Sequence, residues 1–316
     1  MRHVVLGNTG LSIAPLIYGT LPLGPLQAAL DPEAAGRLIR HALESGVNML
    51  DTAELYGSYP HIRAGLAGYG GDVVIATKTN SATAPEARAH VEKALRELGC
   101  ERLDIVHLHA ARIEEPFVTR REVLDELLLM REEGKIAHVG LSSHYICAIR
   151  AAAAQPEIEV VHPLINRTGM GILDGSPAEM AEAILACSKA GKGVYAMKAL
   201  AGGNLIGSAR ESIRYVMGIE GVHGVALGML SIAEIDANIA LFEDGTADDC
   251  VWQKLESSRR RLRIMDRFCK GCGFCVEACV NDALRIEDGK AVVDEAACVL
   301  CGYCGAACPE FIIRVV

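Results

Sequence analysis

Short runs of Val, Ile and Leu alternate with longer Ala-, Glu- and Arg-rich stretches through most of this chain. The first two apolar runs, within residues 2–14, flank Gly7-Asn8-Thr9-Gly10 and predict a β-hairpin, because Gly and Asn readily supply the positive φ of tight turns. Beyond it, strands are predicted to begin near Leu16, Val47, Val73, Asp104, Ala137, Glu159, Val194 and Val222. Helices are predicted between them, at Pro32 to Ser45, Ala84 to Leu98, Thr119 to Glu133, Pro177 to Ala190 and Ser231 to Phe242. The strand starts fall about thirty residues apart, the size of a minimal βαβ unit. Strands that are apolar throughout, in units of that length, predict an α/β chain closed into a (β/α)8 TIM barrel. An open doubly wound sheet is the alternative, but the first βα turn lacks the Gly-x-Gly-x-x-Gly of that fold. The pattern divides the chain into a barrel at 1–245, a helical linker at 246–263 (a charged helix from about Asp248 to Arg263) and a small α+β unit at 264–316.

That last unit carries two copies of C-x2-C-x2-C-x3-C, at Cys269, Cys272, Cys275 and Cys279 and at Cys298, Cys301, Cys304 and Cys308. Three thiolates at this step wrap one iron-sulfur cubane, and the fourth, on the next helical turn, faces the other cluster. One 4Fe-4S cluster is then held by Cys269, Cys272, Cys275 and Cys308, and the second by Cys298, Cys301, Cys304 and Cys279. A pair of zinc sites is the competing reading, although zinc knuckles normally need only C-x2-C pairs. The segment resembles the bacterial two-cluster 4Fe-4S ferredoxins, departing from them at Cys279-Val280, where Cys-Pro is usual. Fifty residues bury too little apolar surface to fold unaided, so the clusters must serve as their core.

Composition narrows the function classes. The 316 residues carry a formal charge of -9, which argues against a nucleic-acid partner. The basic run Arg259-Arg260-Arg261-Leu262-Arg263 reads as a solvated helix face or docking patch. The remaining cysteines, Cys100, Cys147, Cys187 and Cys250, are scattered singly, as buried small hydrophobes are. Unpaired thiols and oxygen-sensitive clusters point to a reducing, cytoplasmic setting. Neither a signal peptide nor a membrane-spanning run is evident, so a soluble protein without membrane partners is expected.

In a barrel, polar residues that end strands face the catalytic mouth. Asp51 ends the second strand, with Tyr56 just after it, Lys78 ends the third and His109 the fourth. Each has a plain reading as a solvated or packing residue, and His107, one layer deeper, reads as a satisfied core histidine. Four from successive strands at one rim outweigh those readings. Over about residues 1–245 the chain resembles the aldo/keto reductase family, through Asp51-Thr52-Ala53-Glu54-Leu55-Tyr56-Gly57, Ala76-Thr77-Lys78, the Asp104 to His109 strand and Val139-Gly140-Leu141-Ser142. The resemblance implies that Tyr56 is a general acid, that Lys78, held by Asp51, lowers its pKa, and that His109 orients a carbonyl oxygen of a small-molecule substrate beside a nicotinamide.

The cofactor grip departs from the family pattern. Ser143 follows Ser142 where the family commonly has Asn, His162 replaces a Gln, and Met197-Lys198 stands where an aromatic and a small residue are usual. Glu234 and Asn238 match the adenosine-contacting pattern, but the loop at Gly228 to Ser231 lacks a cation for a 2'-phosphate. NADH is thus favoured over NADPH. Gly202 and Gly203 are candidates to cradle a pyrophosphate. Hydride and single-electron carriers couple poorly, so a flavin is a further candidate. The cysteine unit is expected to pack over or beside the barrel mouth. Three readings follow: a reductase fed or drained through its clusters, with a redox partner such as a ferredoxin; an electron-transfer subunit with an inactive barrel; and a carbonyl reductase with a structural iron-sulfur clasp.

Overall fold

The computed structural model describes residues 1–243, 249–257, 260–310 and 312–315. Strands β1 (Val4–Val5) and β2 (Ser12–Ile13) pair antiparallel as the predicted hairpin. Leu6 and Ile13 join Ile17, Met49, Ile105 and Tyr195 in one buried cluster, so the hairpin plugs the bottom of the barrel. A Cβ on Gly7 would lie 2.3 Å from the Gly193 nitrogen, and its φ of +55° suits glycine.

Eight parallel strands close the barrel: β3 (Leu16–Gly19), β4 (Met49–Asp51), β5 (Val74–Thr79), β6 (Leu103–Ala110), β7 (Ile136–Ser143), β8 (Val160–Pro163), β9 (Gly193–Ala196) and β10 (Gly224–Leu227), with β10 pairing back to β3. The surrounding helices bury residues three or four apart, such as Ala35, Ile39 and Ala42 on Pro32–Glu44 and Ala87, Val91, Ala94 and Leu98 on Ala84–Leu98. Their starts are set locally. Asp31 accepts from the Glu33 and Ala34 amides, and Ser176 and Glu179 form a reciprocal capping box. Among the described residues no helix is long and apolar enough to cross a membrane.

The charged helix is shorter than its pattern predicts, running only Asp249–Glu256. Its expected start at Asp248, the 245/246 boundary and Arg259 lie outside the described residues. Leu262–Ile264 is a strand, β11, paired antiparallel with the chain's last strand. Its alternation buries Leu262 opposite Val315 while Arg263 faces outward, a pairing that outweighs the helical propensity of an Arg-rich run. Strands β12 (Leu284–Glu287) and β13 (Lys290–Val293) form a hairpin turned by Asp288 and Gly289, both at positive φ, and β14 (Ile313–Val315) completes the unit. Cys275, Cys279, Cys304 and Cys308 belong to its own buried core.

This unit caps the C-terminal end of the barrel. Three βα loops reach it: Gln27 donates to the Leu300 carbonyl (3.0 Å), Asn204 to the Cys298 carbonyl (2.6 Å), and Arg112 to the Cys279 carbonyl (2.7 Å) and both Asp282 oxygens (2.6 Å). At Gly202 the contact is closer still. A Cβ there would fall 1.5 Å from the Val299 oxygen, so the cap's backbone occupies the space a side chain would need.

Candidate active site

Beneath the cap, the strand ends converge. The parallel register sets Lys78 beside His107, and His109 beside Ser142, which in turn neighbours His162. Lys78 donates to both Asp51 oxygens (2.7 and 2.8 Å) and to the Thr52 carbonyl (2.7 Å), fully enclosed. Burial draws the Lys78 pKa down, and Asp51 opposes that shift. Asp51 also accepts from the Tyr195 hydroxyl (2.8 Å), which bonds His107 Nε2 (2.7 Å). His107 therefore has a structural partner; a Cβ at Gly140 would strike its ring at 2.3 Å, so glycine is what admits it.

Tyr56 is presented by a single 3-10 turn, Glu54–Tyr56, that ends on left-handed Gly57. Its ring lies with the Lys78 ammonium 5.1 Å from the centroid and meets His109 edge-on at 6.4 Å. Tyr303 of the cap packs against it. The expectation that Lys78 lowers the phenol's pKa is reversed here. Burial, Tyr303 and Asp51 hold it well above the usual 10, because the Lys78 charge is spent on Asp51 and Thr52.

A partly open groove, with about 150 Å³ of internal space, lies over Asp51 and Tyr56. Of the sequence candidates it is lined by His162, Met197, Lys198, Gly202, Gly203, Glu234 and Asn238 as well. Glu234 partly serves its own helix, accepting from the Leu230 amide at 2.6 Å. Buried Ser143 bonds the Ala110 carbonyl and the Tyr145 amide, whereas the Ser142 hydroxyl has no partner. His109 opens onto a second recess, with Asn80, Arg112 and Arg120, on the other flank of Tyr303. Tyr195 and Tyr303 were missed by sequence reasoning. The interior parity of β9 could have marked the first, but Tyr303 comes from a different unit.

The cysteines fall into two groups. Cys279, Cys298, Cys301 and Cys304 line one small recess, and Cys269, Cys272, Cys275 and Cys308 line another. Among the described residues no three His, Cys, Asp or Glu side chains converge tightly enough to grip a single ion. Each quartet instead rings a space, the arrangement a cubane needs. The amides of Ala283 and Ala291 donate to Cys279 (3.2 Å) and Cys269 (3.3 Å), the kind of outer contact that tunes a cluster.

The aldo/keto reductase family profile matches residues 15–214, well over half of the chain. The chain belongs to the aldo/keto reductase family. A 4Fe-4S dicluster domain matches residues 268–312, and together the two define an iron-sulfur oxidoreductase. Aflatoxin B1 aldehyde reductase member 2 of Rattus norvegicus is 32% identical over 221 residues, 63% of this chain and 57% of the rat protein. The match therefore spans little more than half of that relative. L-galactose dehydrogenase of Arabidopsis thaliana is 21% identical over 277 residues, covering 74% of this chain and 86% of that protein. A solved structure described as an aldo-keto reductase from Pseudomonas aeruginosa superposes with a TM-score of 0.66 at 26% identity, over 76% of this chain and 93% of its own. The holo form of a Bacillus halodurans aldo-keto reductase (TM-score 0.64, 22% identity, 81% of this chain, 95% of its own) shares the fold.

Burial has a measurable cost in acid for this family member. His109 and His144 are held neutral, their pKa values drawn down to about 3 chiefly by desolvation, with Lys78 assisting at His109 and Lys198 at His144. An unfolded histidine takes up its proton near 6.5, roughly, whereas these resist until about 3. Stability is thus complete above about pH 6.5 and falls as pH drops through that window, where the unfolded chain binds more protons. Denaturant midpoints at pH 7.5 and 5 are expected to differ less in His144→Gln than in wild type, which separates this effect from acid loss of the clusters. An equal drop in both proteins would contradict it.

Proposed function

We propose that the chain reduces a carbonyl group of a small organic molecule to an alcohol at the barrel mouth, both electrons arriving as hydride from NADH in the groove, while the adjacent 4Fe-4S unit exchanges single electrons with a separate carrier protein. The observation that carries this reading is the enclosed Lys78–Asp51 pair beneath Tyr56, at the floor of a groove that the chain's cofactor-site candidates line. The groove's fit to a ligand is supported by the buried Asn238 Oδ1 and Gln27 Oε1 on its wall, which lack partners. A nicotinamide supplies hydride when bound, and 4Fe-4S clusters pass single electrons. Tyr56 gives its proton to the carbonyl oxygen as the carbon is reduced; a phenol with a raised pKa is a weaker acid but stays protonated at every working pH. Lys78 and Asp51 fix the floor against which the phenol is set. Neutral His109, edge-on to Tyr56, supports the same oxygen from the second recess, which is the substrate's approach.

The inner cysteine quartet belongs to the reaction centre's surroundings. Cys298 and Cys301 act electrostatically on half-buried Lys198, which lines the groove, so the cluster they would hold is the nearer one. The outer quartet neighbours exposed Phe268 and Phe274, a surface on which a small electron carrier such as a ferredoxin fits. This arrangement favours participation over a mere clasp. The test uses protein purified and kept without oxygen, mixed with NADH and a panel of aldehydes. Aldehyde-dependent NADH oxidation is expected, and in a separate sample a reduced ferredoxin is expected to bleach the cluster absorbance. Absence of carbonyl-dependent turnover with either nicotinamide nucleotide would overturn the reading.

A further inference from the structure

Three described residues of the segment joining barrel to cap, Trp252, Leu255 and Arg260, line the groove. Helix Asp249–Glu256 buries a single side chain, Trp252, which is 2% exposed and walls the groove together with Leu255 and Arg260. Among the described residues the Trp252 indole Nε1 has no hydrogen-bond partner, nor do Gln27 Oε1 and Asn238 Oδ1, whose residues line the same groove. A buried polar atom left unpaired is destabilising, so three on residues around one groove point to a polar ligand. Arg260 stands against the glycine loop: its Cβ and Cδ lie 3.6 and 3.5 Å from where a Cβ on Gly203 would be. The nearby acids are engaged elsewhere, Asp249 with the Arg210 guanidinium and Glu256 with the Arg210 amide. Among the described residues no carboxylate pairs with Arg260.

We propose that Trp252 and Arg260 form the outer wall of a nucleotide site, with Arg260 gripping the diphosphate of the bound dinucleotide beside Gly203. The linker thereby contributes a cation to the groove that the loop at Gly228 to Ser231 does not provide. A guanidinium offers the planar, bidentate donors that phosphate oxygens accept. The inference rests on the nicotinamide reading for which nucleotide is bound, but the phosphate contact stands apart from it.

Trp252 is the chain's one tryptophan, so its emission reports groove occupancy directly. With intact, anaerobically handled protein, ADP, NADH and NADPH are each expected to change that emission. Arg260→Leu should weaken all three by about tenfold or more, Arg260→Lys should recover part of the loss, and adenosine binding should be unmoved. In Trp252→Phe the signal disappears, and calorimetry then supplies the ADP affinity, which is expected to fall less than in Arg260→Leu. Unchanged ADP affinity in Arg260→Leu, or a loss confined to NADPH, overturns the proposal. The two readings separate cleanly. Arg260-dependent ADP binding without carbonyl-dependent NADH oxidation sinks the reaction and keeps the phosphate site, whereas turnover with an unchanged KM for NADH in Arg260→Leu sinks the phosphate site alone.

Discussion

Tyr56→Phe is expected to lower kcat for carbonyl reduction by about 10²–10⁴-fold, the usual worth of a positioned proton donor. Iron content and the Trp252 response to NADH should stay at wild-type levels, since the ring still packs beneath the cap and over Lys78. The pH profile provides a second reading of the same assignment. Tyr56 is held well above its usual range and His109 stays neutral down to about 3. Neither group changes charge between about pH 6 and 9, so the rate should be level there. A single break near 6.5 would identify a titrating imidazole as the acid and remove Tyr56 from that role.

Substitution at Gly202 is expected to undock the cap. Adopting its φ of +70° costs an L-residue roughly 1–2 kcal/mol. The overlap is the larger effect, because a methyl 1.5 Å from the Val299 oxygen cannot be relieved without moving backbone. Gly202→Ala should therefore keep its iron, since the cysteine unit has its own core, yet lose the protection of the linker against limited proteolysis and most carbonyl-reducing activity. Gly134→Ala is the matched control. Its φ is +78° but nothing lies within 4 Å of the added methyl, so only the conformational cost applies. Equal proteolysis and activity in the two variants would show that cap docking does not depend on the Gly202 contact.

Much of the fold was legible because it is written in local alternation. The apolar runs at Leu16, Val73 and Val194 became strands within a residue or so of their predicted starts, and strand-end parity brought Asp51 and Lys78 together. What escaped depends on partners far away in the chain. β11 has three residues with an arginine at its centre, and only the returning Ile313–Val315 makes it a strand. Tyr303 meets Tyr56 because the cap docks, and no periodicity in either segment announces that meeting. The glycines at 202 and 203 drew a phosphate reading from composition, whereas the sterics of Gly202 are set by the Val299 backbone.

Tyr303 opens the same five-residue helix that carries Cys304, one residue along. Oxidative destruction of the inner cubane would release that helix and, with it, the neighbour of the reactive phenol. On the proposed reaction, exposure to air would then act like a fuse, switching off carbonyl reduction by loosening the roof over Tyr56, and rebuilding the metal centre would reset it.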